Sequence, residues 1–204
     1  MPRIVTYLAL SLIIVITGLF AWEMVSPSRT PAPLQARPAV GGPFTLVNHE
    51  GKTVTDKDFL GRHVLIFFGY TYCPDVCPTN LETIRQAMIL LGDRADRVQP
   101  VFVSVDAQRD TPDVMKLYVD MFGGRIIGLT GSEKQIAAAA KAYGVYYAKV
   151  TEKDADKTAN DDMYLMNHSA ITYLMGMDGT FITHFSHGTT PKEMVAKLTS
   201  VIGK

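Results

Sequence analysis

Residues 63–69, HVLIFFG, constrain this chain more than any other stretch. Six of these seven residues are apolar or glycine, without the in–out alternation of a strand that has one wet face. Such a run reads as a central strand covered on both faces, so helices must lie above and below it. That excludes a simple helical bundle and a solvent-faced antiparallel sheet. The segments that follow supply the covering layers. Residues 78–91 place Leu81, Ile84, Met88 and Leu91 on one helical face. Residues 101–105 (VFVSV) read as a second buried strand.

The alternation continues. A helix is expected over residues 112–122, opened by Thr111-Pro112 and stopped by Gly123-Gly124. A short strand is expected over 125–129, and a helix over 132–143, where Ser132 and Gln135 have capping-box spacing and Gly144 follows. Residues 146–150 read as a strand. Residues 170–174 and 180–185 flank Asp178-Gly179, a hairpin signal, and residues 191–202 close as a helix. Residues 44–52 have the character of an added hairpin. Strand–helix alternation, then a hairpin and a last helix, predicts an α/β fold of the thioredoxin-like kind.

Before this body lie two segments of other character. Residues 4–22 carry no charge across 19 positions, with Tyr7 and Trp22 near the two ends. As a helix the run reaches about 28 Å, close to the hydrocarbon thickness of a bilayer. It is longer than a signal-peptide core, and no small-x-small cleavage pattern is evident after it, so an uncleaved transmembrane anchor over residues 1–23 is expected. Arg3 before the run and Glu23 after it favour N-in, C-out. Residues 24–42 form a Pro-rich linker, and residues 43–204 the folded domain. The 20 basic and 20 acidic residues balance, which argues against nucleic acid as a partner. Two cysteines are too few for a disulfide framework or a four-cysteine zinc site.

Those two cysteines, Cys73 and Cys77, stand in FFGYTYCPDVCPTN, between the most apolar strand and the next helix. The carboxyl end of a strand in an α/β sheet is where sites form. With Pro78 in the first helical turn, Cys77 is expected at or next to the N-cap, where amides and the helix dipole favour its thiolate. A disulfide closing so short a loop would constrain the unfolded chain little. Redox chemistry and metal binding both remain open on the pair alone. Of five histidines, His49, His63, His184 and His187 read as surface or packing residues. His168 stands in MNHSAITYL, at the start of an apolar strand whose leading loop, in a thioredoxin-like fold, faces the cysteine loop. Thioredoxins place a cis-proline in that neighbourhood, and this chain has no proline between Pro112 and Pro191.

YTYCPDVCP, SVDAQRDT at residues 104–111 and HSAITYLMGMDG from His168 together resemble the Sco/SenC family of copper-binding assembly factors for cytochrome c oxidase. The resemblance implies copper, Cu(I) or Cu(II), bound by Cys73, Cys77 and His168. It also implies a copper-binding oxidase subunit as partner, an upstream copper donor, and a domain on the periplasmic side of a bacterial inner membrane or its mitochondrial equivalent. Two positions depart from the family pattern: Asn167 replaces the usual Asp before the histidine, and Asp106-Ala107 replaces Asp–Pro. Thiolates select Cu(I), and an imidazole completes a three-donor set or serves Cu(II). Asp75 between the cysteines is a candidate for tuning the site or a solvated carboxylate. Met163 and Met166 are candidate transient copper donors or ordinary packing. Residues 151–162 are polar, suited to a mobile loop that lets the histidine go. The leading function is a membrane-anchored metallochaperone. The alternatives are a thiol–disulfide reductase cycling Cys73 and Cys77, acting on the oxidase copper-site cysteines, and a copper or redox sensor. A peroxiredoxin-type peroxidase fits poorly, because only Tyr72 separates Thr71 from Cys73.

Overall fold

The computed structural model describes residues 13–18, 20–22, 40–150 and 164–203. Chain contacts divide it into two units, Met1–Pro38 and Ala39–Lys204. In the first, residues 13–18 and 20–22 are helical. No helix among the described residues is long and apolar enough to cross a membrane. Residues 4–12 and 19 of the apolar run lie outside the described residues, as do the polar segment 151–162 and Met163.

The second unit is built on a seven-stranded mixed sheet. Its strands in chain order are β1 (Thr45–Asn48), β2 (Thr53–Thr55), β3 (His63–Gly69), β4 (Val98–Ser104), β5 (Ile127–Thr130), β8 (Ile171–Met175) and β9 (Phe181–Ser186). Between β5 and β8 in the chain, β6 (Tyr147–Lys149) and β7 (Met166–His168) pair only with each other, as a separate two-stranded ribbon. The large sheet runs β2-β1-β5-β4-β3-β8-β9. β3, β4 and β5 are parallel, and β8 joins β3 antiparallel. The 44–52 region does form a hairpin, β1–β2, and Asp178-Gly179 turns β8 into β9.

β3 is central, and its side chains from Val64 to Gly69 are buried. Phe67 stacks on Phe102 of β4. Phe102 in turn packs on Tyr118 of helix α2 (Pro112–Asp120). Phe68, one residue on, points to the opposite face and meets Tyr143 of α3 (Glu133–Tyr143). Two covered faces are what an unbroken apolar strand requires. Helix α1 (Val76–Leu91) packs on the closing helix α4 (Pro191–Ile202). The caps follow local chemistry. Thr111, Ser132 and Thr190 each accept an N–H of the first turn, and Ser132 and Thr190 complete capping boxes with Gln135 and Glu193.

Several boundaries move for tertiary reasons. β4 begins at Val98, three residues before the expected start, and passes through Pro100. Pairing with β5 starts only at Val101, so the missing N–H of Pro100 leaves no ladder bond unmade on that side. Strand β5 starts at Ile127, and α2 ends at Asp120. Helix α1 starts at Val76, two residues before the expected Pro78, with Asp75 as its N-cap. Cys77 therefore lies inside the first helical turn.

Candidate metal centre

Three chain segments converge at the carboxyl end of β3. Gly69 ends the strand, the 70–75 loop carries Cys73, and the first turn of α1 carries Cys77. β7 brings in His168. The Cys73 and Cys77 sulfurs and a His168 ring nitrogen all lie within 4.8 Å of one another. Both thiols are free; Cys77 is fully buried and Cys73 half-buried.

Cys77 sits so deep because Gly69 lets it. A Cβ on Gly69 would fall 2.6 Å from Cys77 Sγ and 2.9 Å from Phe102 Cε2. The sulfur thus rests against bare backbone. His168 is seated by two edge-on aromatic contacts, with Phe67 at 6.0 Å and Tyr70 at 5.8 Å between ring centroids. Its Nδ1 faces the Ser169 carbonyl at 3.3 Å, and its Nε2 faces Cys77 Sγ at 3.3 Å.

The protonation of the pair reverses the expectation for Cys77. The Cys77 backbone N–H donates to Cys73 Sγ at 3.4 Å, so the open helix terminus serves Cys73. The Cys77 thiol first, then His168 and the amides of Asp75 and Cys77, pull the Cys73 thiol down to about 3. The Cys73 sulfur first, with burial, pushes Cys77 far up. Of the two thiols, Cys73 is thus the one favoured as thiolate and Cys77 the one favoured as thiol. The physical reason is position: a residue inside the first turn lies behind the amides, whereas Cys73 lies in front of them.

A carboxylate absent from the sequence-derived candidates pins this loop. Asp110 is buried, accepting from the Thr71 N–H at 3.1 Å, Thr71 Oγ1 at 2.6 Å and Ser104 Oγ at 2.5 Å. Burial raises its carboxyl while these donors pull it down. Nearby, Arg109 Nε pairs with Asp106 Oδ2 at 2.5 Å, and the Tyr164 hydroxyl donates to Asp106 Oδ1 at 2.6 Å. The only sign of these roles in the sequence is three charged residues in one short loop after a buried strand.

Of the other candidates, Met166 is half-buried and packs against the core. Asp75 is exposed, with Thr79 Oγ1 donating to it at 3.4 Å. His49 Nδ1 accepts the Gly128 N–H at 3.0 Å, His184 stacks on Phe181, and His187 faces Asn80. Among the described residues, only His168 joins the cysteines in a metal-ready cluster.

The SCO1/SenC family profile matches residues 32–203. The chain belongs to the SCO1/SenC family. Protein SenC of Rhodobacter capsulatus is 45% identical over 157 residues, covering 77% of this chain and 67% of that protein. The human mitochondrial SCO1 homolog is 38% identical over 168 residues, 79% of this chain and 52% of that protein, so the chain spans about half its length. The structure of Bradyrhizobium japonicum ScoI with copper bound superposes with a TM-score of 0.70 at 45% identity, covering 80% of this chain and 99% of that one. The thioredoxin-like α/β expectation thus holds as the Sco fold, with the cysteine loop and the histidine strand facing each other at one end of its sheet.

Proposed function

We propose that this protein is a membrane-anchored copper metallochaperone that matures the copper centre of cytochrome c oxidase, with Cys73, Cys77 and His168 as the copper ligands. The observation that carries this reading is the convergence of two thiol sulfurs and one imidazole within 4.8 Å. Two sulfurs and a nitrogen form the soft donor set that favours Cu(I) and also serves Cu(II), whereas zinc would be left one ligand short. The copper-bound relative supports the same reading. Copper arriving at the Cys73 thiolate displaces the proton from Cys77, so loading releases about one proton from the pair. Transfer to an oxidase subunit proceeds by ligand exchange at the half-buried Cys73 and His168, while Cys77 stays held against Gly69. The anchor is the apolar run at residues 4–22, and residues 24–42 tether the domain.

The test uses the reduced protein, loaded with Cu(I) and with Cu(II) in wild type, Cys73→Ala, Cys77→Ala and His168→Ala. About one copper in wild type and loss of tight binding in each variant is expected. Tight binding retained in His168→Ala would strike the histidine from the ligand set. The anchor is checked separately: the full chain should resist carbonate extraction from membranes, and a chain lacking residues 1–39 should not.

A second reading is favoured by the low Cys73 thiol. A thiolate in front of a helix terminus is also the nucleophile of a disulfide reductase. Cys73 would attack a substrate disulfide to give a mixed disulfide. Cys77, losing its proton, would then displace the substrate as a dithiol and leave Cys73–Cys77 oxidised. Activity of this kind should survive His168→Ala, whereas chaperone transfer should not.

A further inference from the structure

His168 stands on a weakly supported element. β7 belongs to the two-stranded ribbon and makes no ladder with the large sheet. A two-stranded ribbon alone is marginal in water. Its register to β6, with Tyr147 opposite His168, fixes the histidine relative to the ribbon but not relative to the cysteines. The His168 ring packs on Phe67 and Tyr70, and a polar hold just before β7 adds to that packing.

Tyr164, just before β7, meets the body at three points. Its carbonyl accepts from Arg109 Nη1 at 2.8 Å. Its hydroxyl donates to Asp106 Oδ1 at 2.6 Å. Its ring lies 3.6 Å from the Arg109 guanidinium carbon, with Lys149 Nζ 3.5 Å from the same ring. Arg109 also lies 4.7 Å from the ring of Tyr72, the neighbour of Cys73 in the chain. The guanidinium is therefore a joint between the cysteine loop and the histidine strand. Its Asp106 partner is almost wholly buried, at 2% side-chain exposure, so removing either member would leave the other's charge uncompensated. The polar chain continues through the Asp106 N–H to Ser104 Oγ at 2.9 Å, then through Asp110 to Thr71. One connected network thus runs from the segment before Cys73 to the segment before His168.

We propose that Arg109, Asp106 and Tyr164 form a latch that positions His168 over the cysteine pair and thereby sets how fast copper leaves the site. They are positioning residues, since none is a copper donor in the set above. The latch rests on the copper reading only for its kinetic consequence. Its geometric claim concerns the metal-free protein.

The experiment compares wild type, Tyr164→Phe, Arg109→Lys and His168→Ala in the full chain. Tyr164→Phe keeps the ring and removes one hydrogen bond. Arg109→Lys keeps the charge and removes the planar fork. In reduced, metal-free protein with labelled histidine, the His168 ring resonances should shift or broaden in both latch variants, with the other histidines unmoved. In Cu(II)-loaded protein the nitrogen coupling in the electron paramagnetic spectrum should weaken. Release to a chelator should speed up by about tenfold, the scale of one well-made hydrogen bond. Wild-type ring resonances in both latch variants would overturn the latch. So would wild-type release rates in both, alongside accelerated release in His168→Ala. Should His168→Ala itself bind and release copper like wild type, the third ligand is wrong and the kinetic consequence falls with it. The ring resonances still decide the latch.

Discussion

Gly69→Ala tests the centre at its floor, because the structure sets the size of the clash. The added Cβ would lie 2.6 Å from Cys77 Sγ, 2.9 Å from Phe102 Cε2 and 3.2 Å from Phe67 Cε1. Comfortable contact begins near 3.5 Å, so the sulfur must retreat by roughly 0.9 Å. Phe67 and Phe102 are fully buried in a stack and yield little, so the sulfur and the first turn of α1 absorb the strain. Overpacking of this kind costs about 1–3 kcal/mol. For a domain of this size that lowers Tm by roughly 2–12 °C. A ligand displaced by about 1 Å loses function on the order of a hundredfold where geometry is strict. Reduced protein melted by circular dichroism, with copper affinity measured by chelator competition, reads both effects. Gly128→Ala is the control: its Cβ would meet Val119 Cγ1 at 3.1 Å and Met115 Cε at 3.2 Å, away from the cysteines. The control should lose a little stability and keep copper. A Gly69→Ala protein that binds copper as wild type does, or the same copper loss in both variants, would refute the account of a sulfur seated on bare backbone.

Alkylation of the reduced protein by iodoacetamide should be nearly independent of pH from about 8 down to 5, because Cys73 stays a thiolate to about 3. An unperturbed thiol would slow about tenfold per pH unit over that range, and such a slope here would reject this assignment of the cysteine pair. The same pair predicts a stability profile. The lowered Cys73 contributes stability that is present above the ordinary value of 9.0 and lost as pH falls toward about 3. The raised Cys77 contributes stability present below 9.0 and lost as pH rises above it. Reduced wild type should therefore gain on Cys73→Ser as pH rises from 5 to 8, and a gain in the opposite direction would contradict this. Asp110→Ala strips the acceptor from the Thr71 N–H and from two hydroxyls. It should cost about 3 kcal/mol, or roughly 6–12 °C in Tm; a drop under about 2 °C would show that the loop is held some other way.

What the chain discloses before it is folded depends on how far apart the deciding partners are. The apolar run of β3, the Ser132–Gln135 box and the Asp178-Gly179 turn are decided within a few residues, and each forms close to where it reads. The start of α1 is not local in this sense. Asp75 makes no side-chain cap bond to the helix amides, and a cysteine sulfur two residues earlier takes the Cys77 N–H instead. No propensity scale treats a thiolate as a cap, so a reading from Pro78 alone starts the helix late and assigns the thiolate to the wrong cysteine. The same distance separates the ligands from their supports. Cys73, Cys77 and His168 are visible because cysteine is scarce in this chain, two residues in 204, and all three stand at the ends of readable elements. Asp106, Arg109 and Asp110 carry charge in a polar loop, and such residues ordinarily face water. Their burial is decided by Tyr164 and Thr71, 58 and 39 positions away from Asp106 and Asp110 respectively. A metal centre is therefore half legible: its donors can be read from their chemistry, but the groups that hold them at ligand distance exist only once β3, β4 and the ribbon have been brought to one end of the sheet.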